Sequence, residues 1–589
     1  MNSRSKRKKK RILKIVRNIA IVLIPVIIIA LLAFRYVNDA KGLLAEVNVL
    51  KTELNTIVEC VKEKDITSAE SETAMLDESL SRMNKTLSTK RWKTLSRMPF
   101  VGKYVDSANI LVSAAKDASR DMLKPAFSVM EEYPLSELKT GDGFSVSTIN
   151  AYLDLVEDVV PRLDDLALKL KKVKLPAGKA DMINEYAQKL TDLTQAYKDN
   201  NEYLPLCREF LGHGEDKLYL LVAQNTAEIR AAGGFPGSMG TIRIEDGVLS
   251  IEDFKTVYDV LDDFPSDRAD ITSEEYELYS DWLRFARDAG YNPDFERVAE
   301  VWAYTYEDKN KVDVDGVVSL TPAIIQNVLQ YVGSVTLSDG TELNGDNATE
   351  VLQKELYYRY LSDKSGISSD KGNDYVDGLF AETAKVVMEK LVSDFDTNRI
   401  AQYTKIFTDG GKDRTIMMWM EDDTAQEYVR QAGCSGALNF DSTKPEAGIF
   451  YSVANGCKLG WFVDLDTEIL DQRDNADGSS TYDIKVDITN SLTNSDMYKA
   501  GTYILGNYDG NMECQIHLFA PMDGTISDVE VNRNINMQYS EYEGLEVAYS
   551  LGYMLAPGKT IEITYKVTTS TYAKEPLEIV KTPTLQAYR

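Results

Sequence analysis

The residues best placed by type and spacing to do chemistry follow one apolar run. After Leu218–Ala223 come Gln224, Asn225, Glu228 and Arg230, then the stretch 233–240, Gly-Gly-Phe-Pro-Gly-Ser-Met-Gly. A guanidinium beside the backbone N–H groups of a flexible loop makes an anion site. On that reading Arg230, Asn225, Gly233 and Gly234 are candidate anion-binding residues. The plainer reading is a structural ion pair, because in extended chain Glu228 and Arg230 fall on the same side. A nucleotide cradle is excluded: it needs a helix N-terminus after the glycines, and here they run from strand to strand.

Other candidates are weaker. Asp253, Asp259, Asp262, Asp263, Asp267 and Asp270 could face a divalent cation, but their spacing matches no calcium loop and a solvated acidic face explains them. The segments 313–316 and 475–478 resemble the middle of such a loop, yet its first ligand would be Lys311 or Arg473, so both read as turns. Cys514 shares a face with Ile516 and Leu518 and reads as core, while His517 on the opposite face reads as solvated. Cys434 and Cys457 sit in turn-like contexts and could bridge in an oxidising exterior. His213 and His517 fall in different expected domains, and there is no Cys-x-x-Cys pair and no Gly-x-Ser-x-Gly elbow.

The elements that must position these residues come in blocks. Residues 38–200 read as a helical bundle or stalk. One stripe is Leu43, Val47, Leu50, Leu54, Ile57 and Val61; a second runs from Ile149 to Leu170, and a third joins Ile183, Tyr186, Leu190, Leu193 and Tyr197. Residues 215–400 read as a mixed α/β domain, with strands at Leu218–Ala223 and Val312–Leu320. It also carries a hairpin around Asp246-Gly247, a helix opened by Thr321-Pro322, and helices near 346–362 and 374–395. Residues 412–575 read as an antiparallel β-sandwich, because Tyr482–Ile488 and Ile561–Val567 alternate apolar with polar; 576–589 is a tail. The expected class is multidomain α+β.

Charge adds topology. The 589 residues hold 93 acidic and 66 basic side chains, a formal net charge of −27 that argues against a nucleic-acid partner. Residues 1–17 carry nine cations and no acid, and the charge-free run Ile19–Phe34 follows. With snorkelling Lys14, Arg17 and Arg35, residues 18–37 are long enough for an uncleaved signal anchor. The positive-inside rule then places 1–17 in the cytoplasm and the rest outside, with −37 on the exported body.

Several segments together resemble the bacterial DUF4012 family. They are the 218–235 run containing Gln-Asn-x-x-Glu-x-Arg-x-x-Gly-Gly, then 314–318, 331–335, Asn347 with Tyr357, Gly460-Trp461, Thr489-Asn490, and residues 99–102. The resemblance implies a membrane-anchored envelope protein of Gram-positive bacteria, with no activity to carry over. A weaker similarity is to the LytR-CpsA-Psr phosphotransferases, which move glycopolymers from a polyprenyl-pyrophosphate carrier to the cell wall. It implies Arg230 and Arg359 on the pyrophosphate and Asp253 or Asp315 on Mg2+, although the late helix has no Arg-x-Arg pair. The leading expectation is a single-pass cell-membrane protein that binds or organises surface glycopolymers or envelope-assembly partners without catalysis. The phosphotransferase is the alternative, and a polyprenyl-phosphate lipid its substrate.

Overall fold

A computed structural model describes residues 40–589 apart from 64, 142, 176–179, 199–202, 253, 262–263, 265 and 395–398. The expected basic tail (1–17) and membrane span (18–37) lie outside the described residues, as do Asp253, Asp262 and Asp263. Among the described residues no helix is long and apolar enough to cross a membrane. The architecture is multidomain α+β, in two compact units: the chain up to Gly214, and nearly all of Glu215–Arg589.

The first unit is helical. Helices α1 (Ala40–Glu63) and α2 (Ile66–Leu87) form an antiparallel pair, and the Asp65 side chain caps α2 by accepting from Ser68 N at 3.0 Å. Leu43, Leu50, Leu54, Ile57 and Val61 are buried, as the first stripe requires; the Val47 side chain is outside the described set. Helices α3 (Gly102–Ala118), α4 (Val146–Lys171) and α5 (Ala180–Lys198) complete this core. The later stripes are less faithful. On α4 only Leu166 and Leu170 of the stripe are buried, on the C-terminal side of Pro161. On α5 the buried face runs through Ala187 and Thr194, which leaves Leu193 56% exposed.

In the second unit, strands β1 (Lys217–Asn225) and β2 (Phe235–Glu245) are antiparallel neighbours. Asp246 (φ 51°) and Gly247 (φ 74°) then make the two-residue turn that the Asp-Gly pair announces. Helix α6 (Phe295–Asn310) precedes strand β3 (Gly316–Leu320), which pairs parallel with β1, and Thr321-Pro322 opens helix α7 (Pro322–Val332). Helix α8 (Ser369–Asp394) follows, then strand β4 (Ile416–Met420), antiparallel to β3. Within an eight-stranded sheet these four are successive neighbours in the order β2-β1-β3-β4. Residues 416–420 therefore pair in this sheet rather than in the sandwich. Ile-Met-Met-Trp-Met is apolar throughout and wholly buried, the texture of a strand covered on both faces.

Two further sheets make the sandwich. One orders β5 (Glu446–Val453), β8 (Met512–Phe519), β10 (Gln538–Tyr542), β11 (Leu545–Leu555) and β13 (Glu578–Lys581) as β10-β11-β8-β5-β13. The other orders β6 (Val463–Asp474), β7 (Ser480–Asn490), β9 (Thr525–Val531) and β12 (Lys559–Thr568) as β6-β7-β12-β9. Alternation holds on β7 and β12: Tyr482, Ile484, Val486 and Ile488 are buried, as are Ile561, Ile563, Tyr565 and Val567. The expected tail contributes β13, which pairs parallel with β5.

Three expectations need correction. Cys434 and Cys457 do not bridge; both are buried thiols, and burial pushes Cys457 up to about 12. His517 is not solvated but 1% exposed, with Tyr279 at 5.2 Å and Tyr549 stacked at 6.1 Å. The five-stranded sheet has no wet face there, because the segment 273–291 covers it. Glu228 and Arg230 do not pair, since residues 226–234 are turns rather than extended chain.

Candidate functional site

The end of β1 is where the family-like residues meet. The ladder slips between Ala223↔Ser238 and Asn225↔Phe235, so Pro236 and Gly237 stand opposite Gln224 alone. This is a β-bulge, and Pro236 costs it no ladder bond. The glycines ahead of it are steric requirements. Gly233 has φ +115°, and a Cβ there would lie 2.1 Å from Gln224 Oε1; one on Gly234 would lie 2.5 Å from Asn225 O. The loop's N–H groups are largely spent. Ala227 donates to Gln353 Oε1 (2.6 Å), Glu228 to Asn225 O, Ala231 to Ser452 Oγ, Ala232 to Gly290 O, Gly233 to Arg230 O and Phe235 to Glu228 O. An anion would have to break these bonds. Gly233 and Gly234 are packing residues, not a cradle.

The candidate charges are spent too. Arg230 is buried; Nη1 donates to Val453 O at 3.0 Å, the guanidinium lies 4.4 Å from the Tyr291 ring centroid, and Asp288 is 4.0 Å away. Glu228 pairs instead with Lys458, whose charge it holds up against a burial that disfavours it. Arg359 donates to Asp339 Oδ2 (3.0 Å) and Thr341 Oγ1 (2.6 Å), so the two arginines share no partner. Asp315 binds Lys217 Nζ at 2.9 Å and accepts from Leu218 N at 2.8 Å. Among the described residues no group of three or more His, Cys, Asp or Glu side chains could hold a metal ion, and Asp253 lies outside them.

Asn225 is the hub. Its Oδ1 accepts from Tyr357 Oη at 2.9 Å and from Ala227 N at 3.2 Å. Gly460 N donates to Ala227 O, and a Cβ on Gly460 would sit 1.9 Å from Thr226 O, so only glycine fits this approach.

Beside this hub opens a feature that residue types alone did not reveal, an apolar cleft with about 90 Å³ of room. Its floor is the sheet (Leu221, Ala223, Gly237), and its walls are Ile324, Ile325 and Val328 of α7 and Phe380, Ala384, Val387 and Met388 of α8. Leu221 and Ala223 alternate with Leu220 and Val222, which enter the core formed with Trp302 of α6, so both faces of β1 are apolar. Gln224, Asn225, Ser238, Thr321, Gln353 and Thr383 are the cleft's polar lining, and no charged side chain is among the described lining residues. Several of these polar atoms are buried without a partner: both amide atoms of Gln224, Gln353 Nε2 and Thr321 Oγ1. Buried polar groups are normally satisfied by protein or by ordered water, so these atoms stand out in the lining. One partial signal was in the sequence: Gln224 is polar at the end of a run otherwise apolar on both faces.

Residues 214–357 match a family model described as "Protein of unknown function (DUF4012)". The segment is a DUF4012 domain. It contains β1, β2, β3, α7, Asn225 and Tyr357, and therefore the cleft's floor and one of its walls. The second wall, α8, lies beyond the DUF4012 match, as does Gly460. No curated protein and no solved structure matches the chain. The likeness to LytR-CpsA-Psr enzymes finds no support in these comparisons.

Proposed function

We propose that this is a membrane-anchored, extracytoplasmic envelope protein whose DUF4012 domain holds the hydrocarbon chain of an envelope amphiphile, without catalysis of its own. A glycopolymer or assembly partner would then be organised through its lipid. The cleft carries this reading: its walls offer a chain little but apolar contact. Each methylene buried there contributes about 0.8 kcal/mol. The unpartnered Gln224 amide and Gln353 Nε2 suit an uncharged hydrogen-bonding head, such as a hydroxyl or ester. A pyrophosphate in the same place would be desolvated with no free cation beside it. The phosphotransferase alternative needs Arg230 and Arg359 on one anion, and they are engaged apart. The basic tail and the apolar run 18–37 support the anchor.

The test is to purify the full chain from membranes in mild detergent and identify co-purifying lipid by native mass spectrometry. Wild type is expected to retain an amphiphile, and Ala384→Trp and Val328→Trp, which fill the cleft, to lose it. An empty wild type that takes up no long-chain alcohol or diacylglycerol would sink the reading.

A further inference from the structure

The first unit carries an unusual turn. Between Glu78 and Asp106 the chain has seven cations (Arg82, Lys85, Lys90, Arg91, Lys93, Arg97, Lys103) and no acid, in an exported body whose net charge is −37. At the centre of this stretch, Met98, Phe100 and Val101 are 49%, 87% and 43% exposed. Scattered apolar residues on a surface are ordinary, but three within four positions are not.

The turn is built rather than loose. Met98 N donates to Leu95 O, Val101 N to Pro99 O and Gly102 N to Met98 O, all within 3.0 Å. A Cβ on Gly102 would lie 2.0 Å from Ser96 O, and buried Trp92 ties the preceding short helix to the bundle core. Phe100 has φ +67°, a left-handed conformation that is costly for a bulky side chain. Within the unit this cost gains nothing, since the ring it projects is in solvent. Lys93, Arg97 and Lys103 are exposed around it.

Position decides the partner. Arg82 meets Glu46 at 3.0 Å and Ser79 meets Glu53 at 2.8 Å, so α2 returns toward the start of α1. Residues 88–103 therefore stand at the end of the bundle where the chain enters at residue 40, a few residues after the apolar run 18–37. From this we infer that the turn 97–103 docks the bundle on an anionic bilayer. Phe100 and its apolar neighbours enter the interface, and Lys93, Arg97 and Lys103 face lipid phosphates. The inference rests on the proposed anchor for its geometry but not for its chemistry.

The experiment places the full chain carrying Phe100→Trp in nanodiscs whose lipids have brominated acyl chains. With phosphatidylglycerol present, the emission added by Phe100→Trp should be at least halved, and the amides of 97–104 should exchange at least about tenfold more slowly than in detergent. Neutralising Arg97 and Lys103 (R97Q, K103Q) should weaken docking about fivefold per site, about 1 kcal/mol each. Unquenched emission in a chain that is embedded in the disc overturns docking while leaving the anchor intact. Protection of 97–104 by soluble polyphosphate without lipid overturns it in favour of an anionic polymer. If the chain does not embed, the anchor fails, and the docking then stands or falls on salt-sensitive sedimentation of the same protein with phosphatidylglycerol vesicles.

Discussion

At the residue scale, the glutamine, asparagine and glycines after β1 are placed by sterics and hydrogen-bond accounting rather than by charge. Gly233→Ala should destabilise by about 1–3 kcal/mol in urea unfolding, because φ +115° strains any L side chain. It should also displace the Gln224 amide. His517 gives a pH signature. Burial depresses it to about 4, against 6.5 in the unfolded chain, although its contact with Leu278 O opposes the shift slightly. The folded state binds this proton less readily than the unfolded one. Its contribution, on the order of 3 kcal/mol, is therefore fully present above pH 6.5 and lost as pH falls toward 4. His517→Phe should flatten the acid limb of a stability–pH profile over that window; an unchanged limb would place the titration elsewhere.

At the element scale, the five-stranded sheet shows why an alternating pattern misled. Cys514, Ile516 and Leu518 point into the sandwich as the period of two predicts, but Gln515 and His517 are buried as well. The cover is the 273–291 segment, a helix and two 3-10 turns with Tyr279 against His517. Sequence periodicity reports the face that packs first; it is silent on a distant segment that later covers the other. Tyr279→Ala should cost about 3–5 kcal/mol in chemical denaturation, as for other buried aromatics. It should also wet His517 and move its acid transition up toward pH 6.5. Retention of the wild-type transition would show that the sheet face stays dry without Tyr279.

At the scale of the whole molecule, separate cores and a large net charge set the behaviour. The helical unit has its own buried cluster, and the two clusters of the second unit share its sheets. Calorimetry of the full chain should resolve two transitions, and single-transition unfolding would contradict independent cores. Because the body is strongly acidic, raising NaCl from about 10 mM to 0.3 M should raise both midpoints by a few degrees as self-repulsion is screened. Much of this scale is legible from composition, since net charge and apolar periodicity are sums over residues. The bundle, the mixed sheet and the alternating strands of the sandwich could be read that way; β4 and β13 could not, because their partners are distant in the chain.

By itself, the sequence determined element types, the polar signature after Leu218–Ala223, and the contrast between a basic start and an acidic body. These follow from local periodicity, turn chemistry and counting. Tertiary structure alone decided what Arg230, Glu228, Arg359 and Asp315 are for, because each is claimed by a partner about 20 to more than 200 residues away: Val453, Lys458, Asp339 and Lys217. It also decided that an apolar cleft lies between α7, α8 and β1. A cavity is space left by three elements that do not quite meet, and no single stretch of residues encodes that gap.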